Sequence, residues 1–189
     1  MFILLLRFHI EQPTSLFVGA TIYGGHADVY LPKGENLFYY DVNSLYPYVM
    51  KDSPMPIGPA KWNGNLVHHE LESLYGFMEA YVKCPESMKR PFLPYRDEKG
   101  LLIFPTGEFI GIYYSEELKY ARSIGYSITP LRGYLYEKGF GLFAGFVGHM
   151  YENRSRAKAE GNTGLAYVYK ILMNSLYGRF GINPNSTIS

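Results

Sequence analysis

Between residues 142 and 177 two helical patterns meet at a break that neither can cross. No other stretch constrains the fold as much. Leu142, Phe143, Phe146, Val147, Met150 and Tyr151 recur at i, i+1, i+4, i+5, which is the rhythm of a helix face. Glu160-Gly161-Asn162-Thr163-Gly164 interrupts that rhythm. A second helix is expected from about Leu165 to Tyr177. Two helices joined by so short a glycine-rich turn make an antiparallel αα-hairpin.

The hairpin places charge in a way that can be worked out by geometry. At about 100° per residue, Asn174 lies about 40° from Lys170, and Tyr177 about 20° to the other side. The three therefore form one stripe. Arg154 and Lys158 stand at i and i+4 on the first helix, again one face. With Asn162 at the centre of the turn, Arg154 lies as far before it as Lys170 lies after it. Arg154, Lys158 and Lys170 can thus converge. Three cations repel one another unless an anion sits among them, and a triphosphate suits an arginine fork and mobile lysines. The alternative is a solvated basic face paired with Glu152 and Glu160.

The first sixty residues read as strands and turns. Phe2–Leu6 is read as a buried strand, and Leu16–Ile22 and Ala27–Leu31 are β-rich runs separated by Gly24-Gly25. Leu37-Phe38-Tyr39-Tyr40 is expected to be a central strand that delivers Asp41 at its end. Asn43 or Ser44 then caps a short helix through about Met50, with Pro47 tolerated in the first turn. Ser53-Pro54-Met55-Pro56-Ile57-Gly58-Pro59 is expected to continue neither a helix nor a strand interior, and serves as a boundary. Strands are expected at Phe77–Cys84, Leu101–Phe104, Glu108–Tyr114 and Ser127–Tyr136. Ser115 is expected to cap a helix with a Leu118, Ala121, Ile124 stripe that Gly125 ends. The fold class is α+β: an antiparallel sheet with helices, followed by the two-helix hairpin.

Composition excludes several functions. A chain of 189 residues with 47% apolar and 19% charged residues is a folded protein of ordinary core. A net charge of +1 rules out DNA binding by bulk electrostatics, so any nucleic-acid site needs locally placed cations. The lone Cys84 excludes an internal disulfide and a cysteine zinc site. The 19 tyrosines suit surfaces that touch bases and sugars, and equally reflect a biased base composition in the encoding genome. The apolar N-terminal run is too short for a signal-peptide core, and no stretch reaches membrane-spanning length. A soluble, untargeted chain is expected. His68-His69-Glu70 reads as a surface loop rather than a metal site, and no nucleophilic triad is present.

Asp41 stands after the apolar run and before a helix start, where loops place functional groups. A carboxylate there can hold a divalent cation such as Mg2+, helped by the Val42 carbonyl. A carboxylate that merely caps a helix is the commoner use of such a residue.

Taken together, Asp41-x-x-Ser44-Leu45-Tyr46-Pro47 and Lys170-x-x-x-Asn174-Ser175-x-Tyr177-Gly178 resemble motifs A and B of the family B DNA polymerases. The order is right, and Arg154 and Lys158 sit upstream of the second motif as basic residues of the fingers do. Phe104-Pro105-Thr106-Gly107-Glu108, Tyr114-Ser115-Glu116-Glu117 and Leu131-Arg132-Gly133-Tyr134 resemble the protein-primed branch, especially polymerases of linear mitochondrial plasmids. Ile22-Tyr23-Gly24-Gly25 resembles that branch's Tyr-x-Gly-Gly element, with Ile22 replacing the strict tyrosine.

The resemblance implies a partial palm over residues 1–60, an insertion with returning palm strands over 61–138, and fingers helices over 139–189. It implies DNA primer-template, deoxynucleoside triphosphates and a priming terminal protein as partners, with no membrane. The terminal-protein contact would fall at about Trp62 to Pro91. Asp41 and Val42 would be metal ligands, and Asp41 and Lys170 the catalytic pair. Ser44, Leu45 and Tyr46 would line the nucleotide site, with Tyr46 excluding a 2′-hydroxyl. Arg154, Lys158 and Lys170 would hold the triphosphate, and Asn174 would border the base pair. Tyr177, Gly178, Gly24 and Gly25 would meet DNA. The chemistry would be attack of a 3′-hydroxyl or a priming-protein hydroxyl on the α-phosphate, with two Mg2+ ions. The family's second carboxylate segment, Tyr-x-Asp-Thr-Asp, is not found in this sequence, so the chain is expected to be a fragment inactive alone. Competing expectations are a non-catalytic remnant that retains nucleotide or DNA binding, and a chain with no stable fold. A mitochondrial, organelle-encoded setting rests on the branch alone.

Overall fold

A computed structural model describes residues 29, 33–42 and 44–179 of the chain. The expected strands at Phe2–Leu6 and Leu16–Ile22, nearly all of Ala27–Leu31, and the pair Gly24-Gly25 lie outside the described residues. The chain divides into two compact units. One contains Pro56–Lys138, and the other takes the described residues up to 55 together with residues 139–179.

The first unit is built on a four-stranded sheet. Its strands are β1 (Met55–Asn63), β2 (Gly76–Cys84), β5 (Gly107–Tyr114) and β6 (Ser127–Gly139), in the order β1-β6-β2-β5. A two-residue pair, β3 (Tyr95–Arg96) and β4 (Leu102–Ile103), forms a separate small hairpin. β2 runs antiparallel to both neighbours, with Met78 opposite Tyr113 on one side and Gly133 on the other. Alternate residues of β2 (Met78, Ala80, Val82 and Cys84) are buried on the face that carries the core. Leu118 and Ala121 of helix α2 (Ser115–Ser123) pack into that cluster with Leu71, Leu74 and Leu93.

Several expectations need correction. The proline-rich segment does not stop a strand, since β1 runs through Pro56, Gly58 and Pro59. It is an edge strand, and an edge tolerates residues that cannot donate to a ladder. Ser115 does not cap α2, whose N-cap is Tyr114. The Ser115 side chain is instead fully buried, and its Oγ accepts the Gly76 N–H at 3.2 Å. Ile124 leaves the expected stripe and is partly exposed, because the helix ends at Ser123 and Gly125 turns the chain with φ 112°.

The segments that resemble the protein-primed branch knit this unit together. Glu79 pairs with Arg132 and Ala80 with Pro130, so Leu131 is the extra residue of a β-bulge. The freed Leu131 carbonyl accepts the Leu66 N–H at 2.8 Å. Arg132 donates from Nε to the Glu79 carboxylate at 2.6 Å, and Tyr134 lies 4.7 Å from the Trp62 ring. Thr106 donates its hydroxyl to Glu86 at 2.9 Å, and Gly107 adopts φ 83°. The Tyr81 hydroxyl and the Lys83 ammonium hold the Glu108 carboxyl below the usual range.

In the second unit, α1 (Leu45–Asp52), α3 (Ala144–Ala159) and α4 (Thr163–Arg179) pack together. The expected αα-hairpin is present. Gly161 turns with φ 74°, and the Asn162 side chain accepts the Leu165 N–H at 3.0 Å, capping α4. Ala157 and Ala166, on either side of the turn, are buried, as close helix contact requires of small residues.

Two expectations fail here. Leu37–Tyr40 is not a strand: these residues have no regular structure and are 78–93% exposed. A short apolar run specifies a strand only where a neighbour pairs with it, and none does among the described residues. On α3, Val147 is buried, but Leu142, Phe146 and Tyr151 of the expected face are exposed. Periodicity located the helix but not what covers it.

Candidate functional site

The site is built where the start of α1 meets the α3–α4 hairpin, all within the second unit. Asp41 and Val42 precede α1 and are exposed. Ser44 holds φ 52° and ψ 45°, a left-handed backbone that only a minority of non-glycine residues adopt. Sequence alone makes Asn43 or Ser44 the helix cap, and Asn43 lies outside the described residues. Ser44 does occupy the N-cap position, but its side chain makes no capping hydrogen bond. Its Oγ accepts a bond from Arg154 Nη1 at 3.0 Å instead. Leu45 and Tyr46 are half-buried, and Pro47 is buried in the first turn, where its missing N–H costs nothing.

Arg154 is half-buried, whereas Lys158 and Lys170 are exposed. Asn174 is half-buried one turn beyond Lys170, with Met173 fully buried beside it. Tyr177 and Gly178 continue α4, their side chains outside the described part. Gly24 and Gly25 are likewise outside it.

The electrostatics of the two units differ. The ion pairs of the described residues lie in the first unit: Lys61–Glu137, Lys83–Glu108, Lys119–Glu116, Lys138–Glu116, Arg122–Glu72 and Arg132–Glu79. Among the described residues, Arg154, Lys158 and Lys170 have no carboxylate partner, and neither Glu152 nor Glu160 pairs with them. Unpaired cations on one hairpin suit a polyanion from outside.

A cavity of about 290 Å³ opens among α1, α3 and α4, lined by Pro47, Tyr48, Lys51, Val147, Tyr151 and Met173. Sequence reasoning found neither this cavity nor the Ser44–Arg154 bond. The bond joins residues 110 positions apart, which no spacing rule connects.

The two oxygen donors before α1, one carboxylate and one carbonyl, are of the type that a magnesium ion takes. Mg2+ takes one or two carboxylates and completes its shell with water and substrate phosphates. Asp41 would supply such a carboxylate and Val42 a carbonyl. Among the described residues there is no cluster of three His, Cys, Asp or Glu side chains. No helix among them is long and apolar enough to cross a membrane.

The family description "DNA polymerase type B, organellar and viral" matches residues 8–189. The chain belongs to that family. A probable DNA polymerase of Podospora anserina is 41% identical over 171 residues, which cover 89% of this chain and 14% of that protein. One from Neurospora intermedia is 37% identical over 186 residues, covering 93% of this chain and 19% of that protein. The DNA polymerase of Bacillus phage phi29 is 28% identical over 166 residues, covering 82% of this chain and 28% of the phage protein. The structure of phi29 DNA polymerase complexed with primer-template DNA superimposes with a TM-score of 0.60 at 20% identity. That match covers 76% of this chain and 25% of that one, and shows that the type B chain shares part of the phage enzyme's fold. The chain therefore spans between 14% and 28% of the length of these relatives.

Proposed function

We propose that this stretch of a type B polymerase forms the nucleotide site of a protein-primed DNA polymerase acting in DNA replication. The whole protein transfers a deoxynucleotidyl group from its triphosphate to a 3′-hydroxyl of primer-template DNA or to a hydroxyl of a priming protein, breaking the α–β phosphoanhydride and releasing pyrophosphate. Asp41 and the Val42 carbonyl hold Mg2+, which when bound stabilises the charge of the reacting phosphates. Lys170 and Lys158 lie along the triphosphate, with Arg154 at the α1 end of the same hairpin. Ser44, Leu45 and Tyr46 line the sugar side, where Tyr46 excludes a 2′-hydroxyl. Asn174 and Tyr177 border the nascent base pair, and Gly178 lets the backbone approach DNA closely. Gly24 and Gly25 belong to the template path. The priming protein is met by the segment from Trp62 to Pro91. The setting is a mitochondrial plasmid, an expectation carried by the branch that the sequence motifs resemble.

One observation supports this reading above the rest: the hairpin cations lack carboxylate partners among the described residues, and one of them, Arg154, bonds Ser44, three residues from Asp41. Titration of the chain with dATP and Mg2+ tests it. Lys170→Ala is expected to weaken binding about tenfold, the loss of one charge-assisted contact. Equal affinity of the two proteins would remove the triphosphate site.

A further inference from the structure

Arg154 and Lys158 share a face of α3, one turn apart, yet they are not equivalent. Lys158 extends into solvent, whereas Arg154 is half-buried and already bonded to Ser44. An N-cap serine normally spends its hydroxyl on the free N–H groups of its own helix. Ser44 does not, and it adopts a left-handed backbone that is unfavourable for a residue with a Cβ. Both departures are accounted for if the residue is held by its bond to α3. The arginine is bound through a neutral group, so the bond fixes its position without cancelling its charge.

We propose that Arg154 is a positioning residue, not a phosphate ligand. It ties α3 to the turn before α1, so that the backbone leading to Asp41 and the hairpin carrying Lys158 and Lys170 keep one arrangement. Contact with the triphosphate falls to the two lysines. This inference rests on the nucleotide-site reading above, and it changes the role of one of that site's three cations.

The two roles predict different outcomes for one pair of substitutions. If Arg154 positions, Ser44→Ala breaks the tie and weakens nucleotide binding as much as Arg154→Ala does. If Arg154 grips phosphate, its loss adds to that of Ser44, which lines the nucleotide site, and the double variant binds more weakly than either single one. The experiment titrates dATP and dAMP, each with Mg2+, into the wild type, Ser44→Ala, Arg154→Ala and the double variant. Each single change is expected to weaken dATP about three- to tenfold and dAMP less, because the lysines it disturbs meet the triphosphate, and the double no further. Ser44→Asn keeps an acceptor oxygen and tolerates the left-handed backbone, and is expected to restore most of the affinity. A loss confined to Arg154→Ala, or a double variant weaker than either single one, would overturn the proposal.

A second measurement does not depend on nucleotide. Urea unfolding of the same four proteins, followed by helical circular dichroism, gives a double-mutant cycle. Non-additive midpoints support the tie, and additive midpoints overturn it. Loss of affinity in Lys170→Ala speaks only to the nucleotide reading, so the two failures are distinguishable.

Discussion

Replacing Gly133 by alanine tests how closely β6 lies against β2. Gly133 stands opposite Met78 in the ladder and is buried. A Cβ at that position would lie 2.7 Å from Met78 Cα and 2.8 Å from Met78 Cβ, and closer still to the Phe77 carbonyl oxygen. Ordinary contact begins at 3.4 Å, so clearing Met78 Cα alone would part the strands by about 0.7 Å, and the Phe77 carbonyl demands more. Two of the three nearest atoms belong to the backbone, so no rotamer change relieves the clash. Neither strand can yield alone, because β2 is also bonded to β5 and β6 to β1. Overpacking of this kind costs about 1–3 kcal/mol. Stretching two ladder hydrogen bonds adds about 1 kcal/mol each. Alanine returns about 0.5–1 kcal/mol through the smaller entropy of its unfolded chain. The net expectation is a loss of about 2–4 kcal/mol, a large part of the stability of an ordinary domain.

Trp62 makes the assay local, since it is the chain's single tryptophan and its ring lies 4.7 Å from Tyr134, the neighbour of Gly133. Urea unfolding followed by its fluorescence reports on the first unit. Gly64→Ala is the control. The nearest atom to a Cβ there is Trp62 Nε1 at 3.6 Å, an ordinary contact, and a change within about 0.5 kcal/mol is expected. A Gly133→Ala protein within about 1 kcal/mol of wild type at unchanged denaturant slope would refute the β2–β6 register described above.

Two further outcomes are expected in the same unit. The Tyr136 hydroxyl is buried with no hydrogen-bond partner among the described residues, and burial pushes its pKa up to about 12. Tyr136→Phe should raise stability by about 1 kcal/mol, and a loss of that size in the urea midpoint would show that the hydroxyl has a partner. Burial also raises the Glu117 carboxyl above its ordinary 4.5, so the folded state binds a proton more readily than the unfolded state does. The resulting stability is full below pH 4.5 and is lost as pH rises through the folded value; Glu117→Gln should flatten that part of the stability–pH curve, and an unchanged slope would contradict it.

Elements with strong local signals were legible in the sequence, and those decided by neighbours were not. β2, β5, α2, β6 and both hairpin helices fall within a few residues of expectation, because alternation, glycine and the turn at Glu160–Gly164 act locally. The proline segment misled because a rule for strand interiors was applied to what is an edge. Leu37–Tyr40 misled in the opposite direction. It has strand composition without a strand partner among the described residues. In both cases the deciding fact is which backbone lies alongside, and a single chain's composition does not carry that.

The candidate site divides along the same line. The shared stripe of Lys170 and Asn174 was legible because helical spacing alone sets it. The role of Ser44 was not, because a serine before a helix ordinarily caps it. Its bond to Arg154 depends on α1 and α3 packing together, which only the tertiary structure supplies. The branch-like segments carry a related lesson. Leu131 supplies a bulge carbonyl, Arg132 an ion pair, Gly133 a close strand approach and Tyr134 a ring contact. Resemblance at those positions therefore marks how this unit is held together, and says nothing by itself about what it binds. The proposed function rests instead on residues that hold nothing together in this way, namely the exposed Asp41, Lys158 and Lys170, whose charges have no ion-pair partner among the described residues.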